Sequence, residues 1–140
     1  MSRDRVLVRA GFLLFLVAML GGLGIRFVLN PRMAMAGHVT GLLEGLMLVA
    51  LGLVWATLRF SAARAKLVRG LFVYGAYAAW VVGWLGAIWG TSWLTPIAGA
   101  GFHASRAKEL VVAVLFVSLA GAHIVGLLLV VPALFRRDAA

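Results

Sequence analysis

The chain has 140 residues, of which 64% are hydrophobic and 12% charged, whereas a soluble domain runs nearer half apolar and a quarter charged, so the solvent for this excess must be lipid. The formal net charge of +9 does not signal nucleic acid, because the basic residues are spread over chain ends and loops with no stripe of interleaved aromatics. The absence of cysteine excludes disulfides, Cys-ligated zinc, iron–sulfur clusters and covalently attached c-type haem.

Four apolar segments follow one another, at about residues 6–29, 36–58, 68–93 and 108–135. Each holds the roughly 20 residues that a helix needs to cross the hydrocarbon core. No segment alternates with period two, which sets aside a membrane β-barrel. The expected fold is an all-α membrane protein, a four-transmembrane-helix bundle forming one domain over residues 1–140.

The first segment is too long for a cleavable signal peptide and lacks a small-residue cleavage site. Asn30-Pro31 closes it, since proline disfavours helical geometry in the residue before it. In the second, Gly37, Gly41 and Gly45 form two overlapping G-x-x-x-G motifs, which let another helix approach closely. His38 and Glu44 flank this ridge, about 9 Å apart along the axis and about 120° apart around it. Ionisable groups at membrane depth are costly, and usually either act or hide from lipid. His38 reads as an interfacial histidine or as a ligand. Glu44 reads as a neutral packing residue or as a polar catalytic group.

In the third segment Tyr74, Tyr77, Trp80 and Trp84 recur at helical spacing as one aromatic stripe. Such stripes are more often core or interface belt than binding site. Tyr77 and Trp80 lie deep enough to line a pocket for an aromatic substrate, while Tyr74 stands nearer the basic middle loop. Trp89 and Trp93 mark the opposite membrane interface. Residues 90–107, GTSWLTPIAGAGFHASRA, are the longest non-helical stretch, punctuated by Gly and Pro. In the fourth segment His123 falls near mid-membrane, with Ser118 and Gly121 close by. It reads as a bond across helices or as a second metal ligand. Glu109, beside Arg106 and Lys108, reads as a solvated or ion-paired helix start, and His103 as a loop residue.

The basic residues set an expected orientation. Arg3, Arg5, Arg9, Arg59, Arg64, Lys66, Arg69, Arg136 and Arg137 gather on one side, and Arg26, Arg32, Arg106 and Lys108 on the other, nine against four. Both termini and the middle loop are therefore expected in the cytoplasm, the location being a bacterial-type inner membrane. No phosphate-binding Gly loop, H-E-x-x-H or serine-nucleophile elbow occurs. Three histidines without a carboxylate cluster do not make an all-protein zinc site.

Several runs taken together resemble a known family. "NPRM" closing the first segment, "EGLMLVALGLVW" following His38, "LVRGLFVYGAYAAW", and "WG" followed by "PIA" are similar to the hydroxylaminobenzene mutases. The layout and the position of His38 also resemble styrene oxide isomerase. The similarity runs from about Arg5 to Leu134. It implies an enzyme that rearranges a small aromatic substrate without net oxidation. The two reaction types are hydroxylaminobenzene to 2-aminophenol and styrene oxide to phenylacetaldehyde. It further implies a homotrimer with haem b at each protomer interface, His38 being the axial ligand to iron. The relatives carry an asparagine where Glu44 stands, and the mutases another where Ala79 stands. The tyrosine of the epoxide isomerase finds only candidates here, Tyr74 and Tyr77. Ferric iron acting as a Lewis acid would weaken the C–O or N–O bond. An ionised Glu44 would then stabilise the cation that develops, with aromatic faces such as that of Trp80 adding cation–π attraction. Packing alone offers the competing reading, a non-enzymatic small membrane subunit held by its G-x-x-x-G contacts.

Overall fold

The computed structural model describes residues 3–135, so Arg136 and Arg137 lie outside the described residues. Four helices follow in order: α1 Arg5–Gly22, α2 Pro31–Val54, α3 Ala62–Trp89 and α4 Arg106–Leu134. A short 3-10 turn, Trp55–Leu58, extends α2. All four are long and apolar enough to cross a membrane, and no strand occurs among the described residues. Phe12, Leu20 and Val117 stand 62%, 59% and 65% exposed. An apolar belt of this kind suits lipid and not water.

The helix ends depart from the apolar runs where local chemistry intervenes. The first helix stops at Gly22 rather than near Leu29, because Gly21, Gly22 and Gly24 weaken it and the chain turns through Ile25–Phe27. The second begins at Pro31 rather than Ala36. Asn30 caps it by accepting from the Met33 N–H at 3.1 Å, and proline is well placed at a first helical position. The third starts at Ala62, ahead of its apolar run, and ends at Trp89 with Gly90 at φ 69°. Glycine takes that left-handed conformation without a Cβ penalty.

Each helix packs on the next, α1 on α2, α2 on α3 and α3 on α4. The Asp4 N–H donates to the Gly52 carbonyl at 2.9 Å. One oxygen of Asp4 caps α1 through the Val6 and Leu7 N–H groups, and the other takes two bonds from Arg69 at 2.9 and 2.6 Å. Leu7, Leu58, Val68 and Val130 join in one apolar cluster at this end. The start of α1, the α2–α3 turn and the end of α4 therefore share one end of the bundle. The segments between α1 and α2, and between α3 and α4, share the other.

The glycine ridge of α2 is used within the chain. A Cβ at Gly45 would lie 2.8 Å from the Gly11 carbonyl and 3.0 Å from the Phe15 nitrogen of α1, while one at Gly37 would lie 3.1 Å from the Gly83 backbone of α3. Gly41 sits against Trp80 and Ala18. The ridge thus admits α1 and α3, not a neighbouring subunit. It holds α2 between α1 and α3.

Candidate active site

A cleft of about 280 Å³ opens between α2, α3 and α4. Its walls are mostly apolar, from Val82 on α3 to Phe116 and Leu119 on α4, and α2 contributes Thr40 and Glu44. This is the usual make-up of a small-molecule site, an apolar concavity with a few placed polar groups.

Residues of the α3–α4 loop close one end of the cleft. Thr91, Thr95 and Ala98 line it, and three side chains from elsewhere strap the loop in place. Asn30 donates through Nδ2 to the Ala98 carbonyl at 2.8 Å, and Arg32 bonds the Ala100 carbonyl. Glu109 accepts from the Ser92 and Trp93 N–H groups at 2.9 and 3.1 Å. Glu109 is buried, 2% exposed, which corrects the expectation of a solvated or ion-paired helix start. Its partners are backbone donors of a loop folded over it, and a carboxylate holds such donors strongly. Asn30 likewise does more than end a segment. The Thr91 hydroxyl oxygen, on the same cleft, is buried without a partner among the described residues. His103 is an exposed loop residue, as expected.

Glu44 does not stand alone in the bilayer. Its Oε2 lies 3.1 Å from Nε2 of His123 on α4, the two side chains being 18% and 16% exposed. The other ring nitrogen, Nδ1, lies 3.1 Å from the Leu119 carbonyl one turn back. The imidazole fits because α3 carries Gly75 beside it, where a Cβ would come within 2.7 Å of the ring. Phe72 meets the ring edge-on, at 6.0 Å and 77°. Both ring nitrogens are thus engaged, leaving His123 no lone pair for a metal. Of its two readings the bond across helices holds. Among the described residues no group of three His, Cys, Asp or Glu side chains gathers into a metal site.

His38 lies on another face of α2 and does not line the cleft. Its Nδ1 is 2.8 Å from the Ala18 carbonyl of α1, and its ring stacks over Gly22, where a Cβ would lie 2.8 Å from Cε1. A carbonyl only accepts, so Nδ1 carries the hydrogen. Nε2 then presents its lone pair. A backbone carbonyl on one nitrogen is the usual way a metal-binding histidine is oriented to ligate through the other. His38 therefore fits the role of a histidine that would hold haem iron.

The aromatic stripe divides between neighbours. Tyr74 donates to the Ser118 hydroxyl at 2.6 Å, and that hydroxyl donates on to the Leu115 carbonyl at 2.8 Å. Tyr77 donates to the Ala10 carbonyl at 2.9 Å. Trp80 packs on Gly41 and Ala18, and Trp84 on Gly21, their rings 6.4 Å apart. The indole N–H groups of both tryptophans are buried without a partner among the described residues. Trp80 therefore shares the end of α1 with His38. Neither tyrosine nor Trp80 lines the cleft that holds Glu44.

The model of the styrene oxide isomerase family matches residues 3–135. Hydroxylaminobenzene mutase HabB of Ectopseudomonas oleovorans is 36% identical over 116 residues, covering 82% of this chain and 71% of that protein. Hydroxylaminobenzene mutase HabA of the same organism is 38% identical over 114 residues, covering 81% of this chain and 84% of that protein. No solved structure matches the chain.

Proposed function

The chain belongs to the styrene oxide isomerase family and is an integral membrane isomerase, and on that premise we propose that it rearranges a small aromatic substrate in the cleft between α2, α3 and α4. The substrate is an aromatic hydroxylamine, converted as hydroxylaminobenzene is to 2-aminophenol, or an aryl epoxide, converted as styrene oxide is to phenylacetaldehyde. Family membership decides against the non-enzymatic subunit, since packing alone was that reading's only support.

The observation that carries the proposal is Glu44, a carboxylate on the wall of an otherwise apolar cleft within the membrane. Breaking the C–O or N–O bond leaves positive charge on a benzylic carbon or an aryl nitrogen. A carboxylate fixed beside that centre stabilises it without reorganising, and the apolar walls strengthen the attraction. The cleft walls hold the ring, and the loop strapped by Asn30, Arg32 and Glu109 keeps water from one end. Thr91 offers a hydroxyl for a substrate heteroatom. Tyr74 and Tyr77 tie α3 to α4 and α1 through their hydroxyl hydrogen bonds, and Trp80 packs it on Gly41 of α2.

Haem b, held through His38 Nε2, would supply a Lewis acid for the substrate oxygen with no net redox change; because His38 does not line the cleft of its own chain, the two would meet across a protomer interface. His38 is held for that task by Ala18. The assembly that goes with this reading is a homotrimer with haem at the protomer interfaces, in a bacterial-type inner membrane with both termini in the cytoplasm. Support for the trimer rests on resemblance to the family, because the glycine ridge is occupied inside the chain.

Purified protein supplied with hydroxylaminobenzene and styrene oxide side by side tests the proposal. Conversion of either to its isomer supports it. Conversion of neither by a folded, haem-loaded preparation refutes it.

A further inference from the structure

We propose that His123 is a positioning residue that holds Glu44 as an ionised carboxylate on the wall of the cleft. The proposal rests on the reading above, in which that cleft is where the substrate is rearranged. It begins with the proton count. Nδ1 of His123 faces the Leu119 carbonyl at 3.1 Å, and since a carbonyl only accepts, Nδ1 bears a hydrogen in every state of the ring. The 3.1 Å contact between Nε2 and Glu44 Oε2 can then form in two ways. A neutral ring accepts from a protonated carboxyl, or an imidazolium donates to a carboxylate. One proton lies between the two groups in either case.

The chemistry of the pair decides where it rests. In water imidazole is the stronger base of the two, and in the proposal the 3.1 Å contact keeps that order, with the proton on the ring and the charge on Glu44. Separating the proton in this way creates two opposite charges in contact, which attract strongly where water is scarce. The contact is direct, at 3.1 Å, and a pair this close offsets part of the cost of holding charge at membrane depth. Glu44 Oε1 makes no hydrogen bond within the described residues, and Glu44 lines the cleft.

The imidazole is built into its place. Gly75 leaves the space, since a Cβ there would come within 2.7 Å of Cε1 and 2.9 Å of Nδ1. Phe72 closes the ring edge, and the Leu119 bond sets its rotation. His123 itself does not line the cleft, so it acts on the substrate only through Glu44. Without it, a lone carboxylate at this depth would take up a proton and lose the charge that the reaction uses.

Infrared difference spectra test the pair directly. Glu44 and Glu109 are the chain's glutamates, so protein carrying carboxyl-labelled glutamate gives two signals, and Glu44→Gln assigns them. In the haem-loaded wild type the Glu44 signal is expected as carboxylate bands. In His123→Gln it should become a carboxylic acid C=O band. With hydroxylaminobenzene and styrene oxide as probes, His123→Gln should lower kcat by about 10²–10³-fold, the order expected for losing the charge itself, with KM and the haem band little changed. An acid band in the wild type that disappears in Glu44→Gln overturns the proposal, even if His123→Gln does not fold. So does a His123→Gln spectrum identical to the wild type. Carboxylate bands assigned to Glu44, in a protein whose Glu44→Gln variant keeps full turnover, would uphold the pair and instead refute the catalytic reading of the cleft.

Discussion

His38 and Glu44 occupy one helix and are drawn to different neighbours: Nδ1 of His38 lies 2.8 Å from the Ala18 carbonyl of α1, and Oε2 of Glu44 lies 3.1 Å from His123 on α4. Helix α2 thus carries an imidazole anchored to α1 on one face and a carboxyl group paired with α4 on another. The glycine ridge between them seats α1 and α3 closely enough to hold both.

The first expectation concerns the ligand. His38→Ala should abolish the haem absorption band and the isomerase activity together. His123→Ala should leave the band in place, because both its ring nitrogens are used inside the chain. A band kept in His38→Ala and lost in His123→Ala would move the ligand to α4.

A second concerns orientation. Nine basic residues stand at one end of the bundle's sequence pattern and four at the other, so tags at either terminus should be protected in the cytoplasm and Arg32 and Ser105 labelled from outside. A C-terminal reporter that reads as exported overturns this.

The ridge makes a prediction about stability. Gly45→Leu would force a side chain against the Gly11 carbonyl and Phe15, 2.8 and 3.0 Å from where its first carbon would stand. Overpacking of this sort costs about 1–3 kcal/mol, read as a lower Tm in detergent. An unchanged Tm would mean that the ridge faces lipid.

The loop strap can be loosened alone. Glu109→Ala removes the acceptor for the Ser92 and Trp93 N–H groups, and each buried donor left unpaired costs about 1–3 kcal/mol. Hydrogen exchange should accelerate across residues 91–99 while α2 and α3 keep their protection. Unaltered exchange in the loop would show that Glu109 does not hold it.

Much of this architecture can be read from the chain, for physical reasons that also mark where reading stops. Four spans are legible because a bilayer demands long apolar runs. Their ends are less so, since an apolar turn such as Ile25–Phe27 has the same hydropathy as a helix. His38 and Glu44 stand out because charge at membrane depth is rare. Their partners do not. Glu44 and His123 are 79 residues apart, and nothing local in either segment points to the other. Glu109 shows the same limit: beside Arg106 and Lys108 it looks ion-paired, and only the folded loop supplies its backbone donors. Tyr74 and Tyr77 share a stripe by spacing, yet one bonds α4 and the other α1.

The central claim is that a charged Glu44 stabilises the cation formed in the cleft, and turnover by Glu44→Gln measures it most directly. The amide keeps the shape and most of the hydrogen bonding of the acid while removing the charge. Losing one preorganised electrostatic contact commonly costs about 10²–10³ in kcat. The account predicts a fall of that order with the haem band intact. Turnover equal to the wild type would contradict it and leave Glu44 a packing residue.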